Sequence, residues 1–126
     1  MKWKTMNELE AETDAFYGTE QYHFNPLYPG LKYTDGVQFL GANGFGWLLD
    51  WIGIEAHPLL LKGGHGLYLI LMDVQDNRAT LTVCVDMDGE NLIEVVLKKH
   101  VSYTDAPKGR MKLYWENGVL LLPSEY

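Results

Sequence analysis

The sequence predicts an α+β domain: a four- to five-stranded antiparallel sheet packed on one long buried helix, with a short helix at the N-terminus. Three observations carry that expectation. Residues 66 to 123 divide into five apolar, β-branched or aromatic runs separated by turn-forming pairs. The run from Thr34 to Gly53 keeps apolar side chains at helical spacing around most of its circumference. A chain of 126 residues, 47% apolar and 13% aromatic, has the length and the material for one core, so residues 1–126 are read as a single domain.

Met6 to Phe16 is acidic, with apolar residues at Met6, Leu9 and Phe16, and predicts a short, mostly exposed helix that Gly18 ends. "TEQYHFN" alternates enough for a short strand, and "NPLYPGLK", with its two prolines and a glycine, is loop. Thr34 then stands as N-cap of the central helix, with Asp35 in the first turn beside the positive end of the helix dipole. Val37, Leu40, Gly44, Trp47, Leu48 and Trp51 fall on one side, and Phe45 and Leu49 widen it, which predicts a buried helix.

The glycines at positions 41, 44 and 46 match neither the dinucleotide fingerprint nor a P-loop, and no Lys-Ser/Thr follows them. That excludes a nucleotide cradle on pattern. Each glycine costs about 1 kcal/mol against alanine inside a helix, so close approach by another backbone is the expected compensation. A sheet riding over Gly44 would supply it, with Gly46 and Gly53 on the other side beside Asn43 and Asp50. His57-Pro58 is expected to end the helix.

The strands are predicted at 66–74, 79–87, 91–101, 110–115 and 119–123. Between them lie Asp76-Asn77, Asp88-Gly89, Pro107-Lys108-Gly109 and Asn117-Gly118, which supply the backbone conformations of tight hairpins. The net charge of −7 argues against nucleic acid as a partner. The lone Cys84 excludes an internal disulfide framework. The N-terminal segment has no signal-peptide core and no 18-residue apolar span occurs, so a cytoplasmic protein without membrane contact is expected.

Several segments are familiar together: "GTEQY" from Gly18, "YTDGV" from Tyr33, "WLLD" from Trp47, Tyr103-Thr104-Asp105 before a proline, and the closing "LPSEY". In this order the chain resembles a family of small uncharacterised bacterial proteins, a domain of unknown function, over about residues 16–126. The resemblance implies an accessory gene near mobile elements and brings no assigned activity or catalytic residue.

The chemistry-bearing candidates are few. Asp50, a carboxylate on an apolar helix, must be paired or hydrogen-bonded and is the first acid or ligand-anchor candidate. Asp35 and the loop histidine His65, in "KGGHGL", are the others. The four histidines show no metal-ligand spacing, "DMDGE" lacks the ligands of a calcium loop, and no nucleophile elbow is present, so neither metal nor cofactor is assigned. Tyr33, Tyr114, Trp115 and Tyr126 are candidate interface aromatics, and the C-terminal strand is the expected edge for self-association. The reading that results is a non-catalytic interaction module, a homodimer that engages a host or phage protein. The alternative is a small-molecule or acyl-thioester site between helix and sheet, on the analogy of a hot-dog topology.

Overall fold

The computed structural model describes residues 1–126. Helix α1 (Met6–Thr13) starts at Thr5, whose hydroxyl accepts from the Glu8 amide at 3.1 Å. It buries only Leu9 and Thr13, as its sparse apolar stripe requires. A long loop leads to a two-residue strand, β1 (Lys32–Tyr33), and then to the helical layer: α2 (Asp35–Leu40), α3 (Gly46–Trp51) and α4 (His57–Lys62). The sheet strands follow as β2 (Leu67–Gln75), β3 (Arg78–Asp88), β4 (Asn91–Val101), β5 (Gly109–Glu116) and β6 (Val119–Leu121). A short 3₁₀ turn, Pro123–Glu125, closes the chain.

The sheet has six strands in the order β1-β6-β5-β2-β3-β4, and it is mixed. Every contact is antiparallel except β1 with β6, which run parallel with Tyr33 opposite Leu120. This corrects the expected all-antiparallel sheet of four or five strands. The added strand is β1, and β6 is consequently interior, with Leu120 and Leu121 buried, rather than an open edge. "TEQYHFN" contributes only an isolated bridge, His23 to Tyr33.

The hairpins follow from turn chemistry. Asp76 and Asn77 both take positive φ (53° and 58°) between β2 and β3, and Asn117 and Gly118 do so (49° and 88°) between β5 and β6. Such two-residue turns match the twist of the flanking strands.

The one long helix is broken once, between α2 and α3, and α3 runs on into α4. Asn43 (φ −119°) and Gly44 (φ +109°) break the ladder between α2 and α3. The Asn43 side-chain amide donates to the Phe39 carbonyl at 2.8 Å, satisfying an acceptor that the broken helix would orphan. Gly44 therefore serves the turn. No sheet rides over it, and its nearest neighbour is the Met1 side chain. His57-Pro58 does not end the helix either. A π-helical turn over Ile52–Ala56, in which the His57 amide donates to the Ile52 carbonyl, carries α3 on into α4. This widened turn is where the helix accommodates Pro58, which has no N–H to give.

Tyr68, Ile70 and Met72 of β2, Leu81 and Val83 of β3, and Leu113 and Trp115 of β5 point into the core under the helices. The opposite face buries a smaller cluster of Leu69, Leu71 and Cys84, packed on by Met87, Leu92 and Tyr114. Met87 and Leu92 reach it because the β3–β4 hairpin curls back across that face. A register shift at Val83/Cys84 and the positive φ of Glu94 (53°) supply the bend.

Candidate functional site

The N-terminus of α2 joins three segments distant in sequence. Thr34 has the extended backbone of an N-cap, yet its hydroxyl does not cap the helix. It donates to Glu125 Oε1 at 2.5 Å. Glu125 then accepts the Gly36 amide on Oε2 at 3.0 Å, so a carboxylate from the C-terminal turn caps α2 in place of Thr34. Asp35 turns the other way. Its Oδ2 accepts the Glu20 amide at 2.9 Å and its Oδ1 meets His23 Nε2 at 2.8 Å. Thr19 Oγ1 accepts the Asp35 amide at 3.0 Å. The Glu20 amide, followed by the His23 contact, holds the Asp35 carboxyl below the usual carboxylate range. "GTEQY", "YTDGV" and "LPSEY" are thus one hydrogen-bonded unit, and a role for Asp35 in pinning the 18–23 loop accounts for its contacts.

Asp50 lies on the exposed side of α3, correcting its expected burial, and accepts the Tyr28 hydroxyl at 2.9 Å. Burial and the Asp50 hydrogen bond push the Tyr28 phenol well above its ordinary range. His65 is exposed, 3.8 Å from Glu94 and edge-on to the Tyr68 ring. Asp50, His65 and Asp35 do not come together, and none lines any of the three principal clefts. Of the interface aromatics, Tyr33 and Trp115 are buried. Tyr114 and Tyr126 meet at 4.9 Å between ring centroids, Tyr114 half-buried and Tyr126 exposed.

Three features escaped the sequence reading. His57 is buried, and its Nδ1 accepts the Trp115 indole N–H at 3.0 Å, tying α4 to β5. Burial holds its imidazole below the ordinary histidine range. The second is the polar cleft, about 920 Å³, between the curled hairpin and the far face of the sheet, lined by residues such as Arg78, Arg110 and His100. Only the pairing of strands brings these together; no local spacing marks them. The third is the free outer edge of β4, where Ile93, Val95 and Val96 are exposed. A further group of exposed apolar side chains, Tyr22, Phe24 and Leu27 with Ile54 and Leu61, lies on the loop and helices at the β1 side. No three His, Cys, Asp or Glu side chains are close enough together to hold a metal ion, and no helix is long and apolar enough to cross a membrane.

Fold and site define a small α+β protein with a mixed sheet, a polar cleft on one face and a free apolar edge strand. The chain belongs to a family of unknown function (DUF6876), whose model matches residues 7–126. No curated protein and no solved structure matches it.

Proposed function

We propose that this chain is a non-catalytic interaction module that works as a homodimer, with β4 of each copy paired antiparallel across a two-fold axis. One observation carries the reading. β4 is an 11-residue strand at the rim of the sheet, paired only with β3, and its exposed side chains include Ile93, Val95 and Val96. A long apolar edge with a free row of backbone N–H and C=O groups is a template for another strand. The register of β4 against β3 shifts at Val96, the extra residue of the strand, and the exposed Ile93, Val95 and Val96 around it offer a second copy of the same strand an apolar match.

The apolar group around Phe24, Leu27, Ile54 and Leu61 is at the other end of the sheet and stays exposed in such a dimer. It is where the dimer would engage its target, a host or phage protein in the cytoplasm, in the accessory, mobile-element setting the resemblance implies. Sedimentation equilibrium across micromolar concentrations tests the assembly. The wild type is expected at twice the chain mass, and Val96→Lys, which puts a charge into the apolar stretch of the rim, at the chain mass with unchanged circular dichroism. A wild type that stays at the chain mass, or a Val96→Lys dimer, removes the reading.

A further inference from the structure

Arg78 and Arg110 are the only arginines in the sequence, and both line the cleft under the curled hairpin, with Lys108 beside them. The lining also carries Asp73, paired with Arg110, and Glu90, so in a chain of net charge −7 the wall still keeps the charges of Arg78 and Lys108 in excess. We propose that this cleft binds a phosphate monoester carried on a small polar metabolite. The inference is independent of the dimer.

The floor is built from side chains that β pairing forces onto one face. Asp73 of β2 stands opposite Thr80 of β3 and opposite Arg110 of β5, and Thr80 stands opposite His100 of β4. Arg110 is already oriented: its Nε donates to Asp73 Oδ1 at 2.7 Å and its Nη2 to Oδ2 at 3.3 Å. That fork uses one edge of the guanidinium and leaves the other Nη hydrogens for a ligand. Arg78 makes no ion pair or side-chain hydrogen bond, so its charge is uncommitted, and it is anchored by the rigid turn at Asp76-Asn77. Thr80 and Ser102 add hydroxyls to the same wall.

Several converging donors suit a phosphate dianion, with its two charges and three terminal acceptor oxygens, better than a single carboxylate. Glu90, at the tip of the hairpin, also lines the cleft near Arg110 and opposes a bound anion. A cleft of about 920 Å³ holds more than a bare phosphate, and only 3 of its 13 lining residues are hydrophobic, so the remainder of the ligand is polar rather than an acyl chain or lipid tail.

Calorimetric titration of the full chain with a hexose phosphate, the parent hexose and inorganic phosphate tests this. The hexose phosphate is expected to bind more tightly than either of the others. Arg78→Gln, which breaks no contact within the fold, should weaken it about tenfold, the effect of losing one charge-assisted contact. Glu90→Gln should tighten it. Lys62→Gln, an exposed change on α4 outside the cleft, should leave it unchanged. Three results overturn the proposal: the hexose binding as well as its phosphate, inorganic phosphate binding as well as the ester, or Arg78→Gln and Lys62→Gln weakening binding equally.

Discussion

Trp115 decides the protonation of His57. Because the indole N–H donates to Nδ1, that nitrogen is an acceptor and the proton of the neutral ring lies on Nε2, which faces the Gly30 carbonyl without a well-formed hydrogen bond. Charging the ring would bury a cation beside a donor that already occupies Nδ1. Burial lowers the folded pKa of His57, so above about pH 6.5 both folded and unfolded forms are neutral and the histidine contributes fully. As pH falls below that value the unfolded chain takes up a proton that the folded chain refuses, and stability is lost. His57→Phe keeps most of the volume but leaves the Trp115 N–H unsatisfied, which costs about 1–3 kcal/mol. The variant lacks the titrating group, so its deficit against wild type should be largest near pH 7.5 and narrow towards about pH 5.5. Urea unfolding at both values checks this; a deficit that stays constant would mean that His57 is not held neutral.

The glycines of the helical layer differ in what they do, and the difference is measurable. A Cβ on Gly53 would collide with the Tyr28 ring, which lies flat on the turn between α3 and α4. A Cβ on Gly46 would meet only the Gly41 carbonyl oxygen at 3.6 Å, an ordinary contact. Gly53→Ala should therefore destabilise by about 1–3 kcal/mol through overpacking, whereas Gly46→Ala, at a helical φ of −56°, should stabilise by about 0.5–1 kcal/mol. Thermal melts of the two variants decide it, and equal effects would contradict the packing described. The close packing at Gly53 was only partly legible: a glycine-bearing apolar helix demands a close neighbour, but the pattern pointed to Gly44 rather than to Gly53. The break at Gly44 was not, because Asn43-Gly44 falls in phase with the apolar stripe and the turn leaves periodicity intact. The strands were legible to within a residue or two, since β-branched runs and Asn-Gly turns are local signals. β1 was not: two residues carry no period, and what makes Lys32–Tyr33 a strand is the edge of β6, some 87 positions away along the chain. The cap of α2 is missed for the same reason, because Glu125 reaches it from the far terminus.

At the scale of the whole molecule, the two rims of the sheet are managed differently. The β1 rim is two residues long and covered by the loop that carries His23. The β4 rim is 11 residues long and open. Lys98 and Lys99 are exposed on this rim and deter pairing, and the extra residue Val96 bends the strand between them and Glu94. A second copy is therefore held by apolar contact at Ile93, Val95 and Val96 against the cost of bringing lysines near the seam. Removing that cost should strengthen the assembly: Lys98→Thr and Lys99→Thr are each expected to tighten dimerisation by up to about 1 kcal/mol. Sedimentation equilibrium of both variants beside the wild type at low ionic strength reads the change. Association left unchanged or weakened by both would show that the β4 rim is not the interface, even if the chain were dimeric.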